Sequence, residues 1–278
     1  MSGSIDYSVL YNNGSSGAAS SILSILAGAG VSSRGNPLPA LREAERNQAA
    51  DVAQTAAQPQ VAREVAAFTK AVATAKSPAD LLANPQALDV LLTASGLGNQ
   101  SSYTALAQRA LLSDTADPKG LANQLSGVNA LWKTTAKTYD FANKGLSSIQ
   151  KPGVVGAIAN AYAEVVWRQS LDSVTPGLSN ALTFRGQASS VTSVDQILGD
   201  ATMRSVVTGA LGIPPEIAYQ DLGAQENAIS SRLDLKKLQD PKFVEGLVQQ
   251  YLLSAHGSSA STGSSLDALA AQNQGLVV

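Results

Sequence analysis

The sequence predicts an all-α chain: a multi-helix bundle built from two related helical units, flanked by flexible Gly/Ser-rich tails. Three observations carry this reading. Apolar residues recur at helical spacing, as at Val61, Val65, Phe68 and Val72, and again at Val154, Ile158, Ala161 and Val165. Steps of four, three and four residues lay one stripe along a helix. Helix starts are marked by a cap residue before a proline, at Asn84-Pro85, Asp117-Pro118 and Asp240-Pro241. A cap side chain accepts a hydrogen bond from a free backbone N–H, and proline at the first helical position needs no N–H of its own. Finally, no run alternates with the period of two that a half-buried strand requires.

The elements follow in order. Residues 1–36 read as a flexible tail rich in Gly and Ser. One short apolar stretch, Ile22-Leu23-Ser24-Ile25-Leu26, interrupts it and is a candidate to order on a partner. N-terminal helices fill 37–76, the first from Leu41 to Ala57 and the second from Pro59 to about Ala75. The first helical unit is 77–151, opened by the capping pattern Ser77-Pro78-Ala79-Asp80. It includes a helix from Val128 to Phe141. A long connecting helix from Pro152 to about Ser173, with its following loop, occupies 152–191. The second unit, 192–255, opens with Ser193-Val194-Asp195-Gln196. The stretch 256–278 reads as a C-terminal tail, with one short helix at Ser265–Ala271.

The two units look alike. Ser77 to Leu82, Val90-Leu91 and Gly96-Leu97 match Ser193 to Leu198, Val206-Val207 and Gly212-Ile213 at a constant offset of 116. Asp117-Pro118-Lys119 matches Asp240-Pro241-Lys242 further on. Each unit is a capped helix, a glycine turn, a second helix and a third begun by Asp-Pro-Lys. Each has one apolar face that needs a neighbour to cover it.

The same residues resemble a known family. Ala79-Asp80-Leu81-Leu82, Leu97-Gly98, Asp117 to Leu125 and Tyr139-Asp140-Phe141-Ala142 follow the succession of an uncharacterised helical family. That family is catalogued as a domain of unknown function and is often encoded among flagellar genes of alphaproteobacteria. Its next segment is similar to Glu164 onward, ending in Asn180-Ala181-Leu182-Thr183-Phe184-Arg185. The resemblance spans about 77–254, and its motifs are caps, turns and core positions. Two positions depart from it: Gly120 stands where serine is common, and Trp132 lies in a stretch usually rich in Arg and Lys. The resemblance implies a helical fold and a flagellar setting, and it brings no catalytic residues with it.

Composition narrows the function classes. Of 278 residues 14% are charged and the formal net charge is −2, so no basic footprint for nucleic acid or anionic membranes is present. There is no cysteine and a single histidine, His256. Disulfides, thiolate sites and multi-histidine zinc sites are thereby excluded. No segment is apolar enough to span a membrane, and no Sec-type signal is read at the start.

Each chemical motif has a simpler structural explanation. Gly28-Ala29-Gly30 lacks the third glycine of a dinucleotide loop, since Ser33 stands there, and reads as linker. Ser148-Ile149-Gln150-Lys151 fits Ser-x-x-Lys, but its Lys-Thr-Gly companion is missing. His256 reads as a helix-end residue facing the C-terminal dipole. Glu43 with Glu45, and Asp234 with Asp240, read as solvated helix faces.

No catalytic, cofactor or metal residues are therefore expected. The expected role is a structural or assembly component of the bacterial flagellum, a rod, hook or filament accessory protein. It would be exported without a cleaved signal and would contact axial proteins or itself as a homo-oligomer. No nucleic acid, membrane insertion or small-molecule substrate is expected. The alternatives are a cytoplasmic adaptor or regulator of flagellar assembly and, further off, an enzyme of unrecognised type. Ile22, Leu23, Ile25, Leu26, Trp132 and Trp167 are the candidate contact residues, the two tryptophans being read as core or as interface anchors.

Overall fold

A computed structural model describes residues 36–273, and all of its regular structure there is helical. The tail reading of 1–36, including Ile22, Leu23, Ile25 and Leu26, lies outside the described residues but for Asn36. The helices are α1 (Leu38–Ala56), α2 (Pro59–Thr74), α3 (Pro78–Ala83), α4 (Pro85–Ala94), α5 (Thr104–Leu111), α6 (Leu121–Leu125), α7 (Leu131–Tyr139) and α8 (Phe141–Lys144). They continue with α9 (Pro152–Leu171), α10 (Leu178–Gln187), α11 (Val194–Gly199), α12 (Ala201–Ala210), α13 (Leu222–Ser230) and α14 (Pro241–Asn273).

The duplication is visible in the backbone. Shifting α3 and α4 by 116 residues gives the bounds of α11 and α12. The caps repeat with them. Ser77 Oγ accepts the Asp80 N–H at 3.1 Å, and the Asp80 carboxylate accepts the Lys76 N–H at 2.9 Å. Ser193 Oγ accepts the Gln196 N–H at 3.3 Å, and Gln196 Oε1 accepts the Thr192 N–H at 2.8 Å. In both units the return bond reaches the residue before the cap, one position earlier than in the usual capping box. Asn84 and Asp200 then cap the following helices. Those helices end alike, at Gly96 (φ 77°) and Gly212 (φ 62°). The N–H groups of Leu97 and Ile213 close the ends onto the carbonyls of Leu92 and Thr208, at 2.8 and 2.9 Å. A left-handed residue at this position suits glycine.

The repeat begins earlier than the sequence indicates. α1 and α2 match α9 and α10 at nearly the same offset, so the N-terminal helices and the long helix each open a unit. Phe68 and Phe184, also 116 apart, are both fully buried. They sit in separate cores. One core joins Phe68 to Leu81, Leu91, Leu111, Trp132 and Ile149; the other joins Phe184 to Ile197, Val206, Ile229 and Leu252.

α1 and α9 tie the cores together. Ala40, Leu41 and Ala44 at the start of α1 share the second core with Trp167 and Leu171 at the end of α9. Ile158, Tyr162 and Ala163 near the start of α9 lie in the first core, and Val52 packs against both. The two helices therefore run antiparallel. Gln48 Nε2 donates to Glu164 Oε1 at 2.7 Å, and the Trp167 indole donates to Asp51; each pair is 116 residues apart. Contact between equivalent residues is the mark of a pseudo-two-fold crossing, as in an isologous interface. The equivalence is not complete. α4 packs on α9, whereas its counterpart α12 packs on α14.

Three local expectations are corrected. Asp117-Pro118 opens no helix. Asp117 Oδ1 accepts the Lys119 N–H at 2.9 Å within a turn, and α6 begins only at Leu121. The Asn123 side-chain amide takes the carbonyls of Thr115 and Asp117, at 3.0 and 2.7 Å, so the Asp117 carbonyl serves a turn and not a helix. The helix expected over 128–141 spans only Leu131–Tyr139. It stops at Asp140, held left-handed (φ 48°), with its carboxylate bonded to Asn143 and paired with Lys144 at 2.9 Å. The chain beyond 256 is not a Gly/Ser coil there: α14 continues unbroken to Asn273. Glycine weakens a helix interior by about 1 kcal/mol, but only proline blocks it sterically, and none follows Pro241.

Candidate functional site

A polar groove of about 380 Å³ lies where the two units meet. Its floor is α9, which presents Glu164 and Arg168 one turn apart, with Asp172 just past the helix end. One wall is the Ser95-Gly96 turn of the first unit. The other is built from Asn180 and Gln187 of α10 and from Asp200 at the start of α12. Gly96 permits the approach: a Cβ there would lie 2.9 Å from Gln187 Nε2 and 3.2 Å from Leu131 Cδ1.

Most polar groups of the groove bond to one another or to the backbone, although the buried Nε of Arg168 has no partner. Glu164 pairs with Arg168 and accepts from Gln48. Asp200 is buried and accepts the N–H groups of Thr202 and Met203 at 2.8 and 2.9 Å, with Asn129 of the first unit at 3.3 Å. Asn180 Nδ2 reaches Tyr251 Oη at 3.2 Å. Asp172 Oδ1 accepts the Ser179 N–H at 2.9 Å. Such a surface offers amide, guanidinium and hydroxyl partners for a polar chain.

Burial raises the Asp172 carboxyl above its ordinary value near 3.8, against the opposing pull of the Ser179, Gly177 and Leu178 N–H groups. The fold thus holds this proton to higher pH than the unfolded chain does. Its contribution to stability is full below the unfolded value and is lost as pH rises through the raised folded one. Asp172→Asn keeps an acceptor for the Ser179 N–H and removes the charge. Urea titrations over a pH series are expected to show the variant falling less steeply from about pH 4 upward and no less stable than the parent at neutral pH. A neutral-pH loss would reverse that assignment.

The candidate contact and motif residues read from the sequence do not converge on this groove. Trp132 and Trp167 are 3% and 2% exposed. They are core residues, not surface anchors: Trp132 shares the inward face of α7 with Ala136 and Tyr139, and Trp167 donates to Asp51. Ser148 Oγ donates to the Tyr139 carbonyl, which makes it a turn fastener. His256 lies inside α14, not at a helix end. Asp234 and Asp240 cap the N–H groups of Lys236 and Lys242, at 3.0 and 2.9 Å. Glu43 pairs with Arg46, and Glu45 with Arg185 of the second unit. Among the described residues no three His, Cys, Asp or Glu side chains gather as a metal site, and no helix is long and apolar enough to cross a membrane.

Sequence reasoning missed the most exposed large apolar side chain among the described residues. Tyr219 is 92% exposed on a 3₁₀ turn (Pro215–Tyr219), and the nearby Leu222 is 58% exposed. The available signal was an aromatic residue between Pro214-Pro215 and the helix cap Asp221.

Residues 94–244 match the family described as Protein of unknown function (DUF1217). The chain belongs to the DUF1217 family. That match takes in the groove, the α7 surface and the Tyr219 turn. The DUF1217 chain also resembles a solved structure, the X-ray crystal structure of protein AGR_C_984 from Agrobacterium tumefaciens. The two are 23% identical with a TM-score of 0.65, over 78% of this chain and 91% of that one. This likeness establishes a shared fold. No curated protein matches the chain.

Proposed function

We propose that this DUF1217 protein is a non-enzymatic structural or assembly component of the bacterial flagellum. It would act through helix packing with itself or with axial subunits of the rod, hook or filament base. The observation that carries the assembly role is the duplication. Two equivalent helical units, each with its own core, are locked by the α1–α9 pair into one scaffold. A scaffold of this kind holds separated surfaces at a fixed spacing, which is what a multivalent contact needs. The flagellar setting draws on the resemblance over 77–254 and on a composition without cysteine and rich in Ala, Ser, Asn and Gln, as in axial flagellar proteins.

The inter-unit groove favours one second reading, a cytoplasmic adaptor that holds a polar segment of an axial protein. Location separates the two. Mass spectrometry of purified hook–basal bodies and filaments is expected to find the chain in many copies per flagellum. Recovery from the cytosol alone would defeat the structural role and leave the adaptor.

A further inference from the structure

Two surfaces of this chain are complementary in charge and chemistry, and they lie on different units. The first is the outward face of α7. The helix turns Trp132, Ala136 and Tyr139 inward and leaves Lys133, Thr134, Lys137 and Thr138 exposed. Residues 131–151 carry four lysines against one acid, Asp140. The neighbours of α7 are α5 and α6, on its buried side.

The second surface is the knob formed by the 3₁₀ turn and the start of α13. Tyr219 and Leu222 project from it, 92% and 58% exposed. Glu216 is exposed beside them, and Glu226 lies one turn along α13 from Leu222. Residues 214–230 carry three acids and no Lys or Arg. The turn packs on α13 alone among its main neighbours.

An aromatic ring and a leucine flanked by carboxylates suit a helix face made of two lysine stems. The stems offer apolar length to the ring, the ammonium groups sit over its face, and the carboxylates pair with them. We infer that the knob of one copy docks on the Lys133–Lys137 face of α7 in a second copy. The contact joins two different surfaces, which a second copy can meet either reciprocally about a two-fold axis or head to tail. Reciprocal docking closes as a dimer, and head-to-tail docking propagates into a ring or an open chain of subunits. This inference deepens the assembly reading and rests on it, but it does not depend on the flagellar location.

The test is sedimentation velocity of the full chain over a concentration series at low and high salt. The expected result is a mass that climbs above the monomer with concentration and falls with salt, because exposed ion pairs are screened. Tyr219→Ala and the double variant Lys133→Glu/Lys137→Glu are each expected to weaken association about tenfold or more. Tyr219 is almost wholly exposed, so its loss leaves the fold intact. Glu216→Lys/Glu226→Lys is expected to weaken association equally while leaving the Asp221 cap in place. The chain carrying all four charge reversals is expected to recover association, which damage to the fold would not allow. A monomer at every concentration, or association indifferent to these variants, would each overturn the inference. A monomeric chain found in purified flagella would overturn it while leaving the proposed function standing.

Discussion

Replacing Phe184 with alanine is expected to destabilise the protein by about 4 kcal/mol, the range for emptying a buried aromatic site. Its ring is fully buried in the second core, which also holds Ile197, Val206 and the α14 residues Val248 and Leu252. The neighbouring helices are each pinned by caps and by α9 and α14, so the cavity has little room to collapse. Phe68→Ala is expected to cost as much in the first core, where Phe68 holds the equivalent place. Urea unfolding followed by circular dichroism reads both. The single losses are expected to add in the double variant, because the residues share no partners. One cooperative transition is expected throughout, because α1 and α9 each run through both cores. A loss below about 1 kcal/mol for either variant would show that the cores repack. Two separated transitions would show that the α1–α9 pair does not couple the units.

Gly199→Ala is expected to cost about 3 kcal/mol, the upper range for overpacking, although alanine is the better helix former. Gly199 ends α11 in the second unit, where the 126–129 loop of the first unit rests on it. A Cβ there would lie 2.2 Å from Val128 Cγ1 and 2.5 Å from the Val128 carbonyl oxygen. Trimming Val128 does not relieve the contact with a main-chain oxygen. Val128→Ala in the Gly199→Ala background is therefore expected to recover less than half of the loss. The displaced loop also carries Asn129, whose amide reaches the buried Asp200, and Ser126, whose carbonyl accepts from Gln196. Gly186→Ala is the control, since nothing lies within 4 Å of a Cβ there. Equal stability of Gly199→Ala and the parent would mean that the loop does not bear on α11.

Much of the fold was legible because its signals are local. Ser77, Asn84, Ser193 and Asp240 act where they stand, on N–H groups two or three residues away. The stripe Val61, Phe68 and Val72 is buried along α2 as its spacing requires. Asp117 carries the same dipeptide signal as Asp240 and yet opens no helix. The difference is Asn123, six residues on, whose amide takes the Asp117 carbonyl. The apolar character of Trp132 and Trp167 was plain, but not the side of the surface on which they would lie. The groove was illegible because Ser95, Glu164, Asn180 and Asp200 meet only when α9 seats between the units.

By itself, then, the sequence determined that the chain is helical, where most helices begin and end, and that α3–α4 recurs as α11–α12. Those properties depend on backbone hydrogen bonds and caps that reach no more than about one helical turn. The tertiary structure alone decided that α1 crosses α9, that both tryptophans are core and that Tyr219 stands out in solvent. Burial is a relation between residues that are 116 positions apart in the pairs Gln48–Glu164 and Asp51–Trp167. No local pattern encodes which distant face will cover a given stripe.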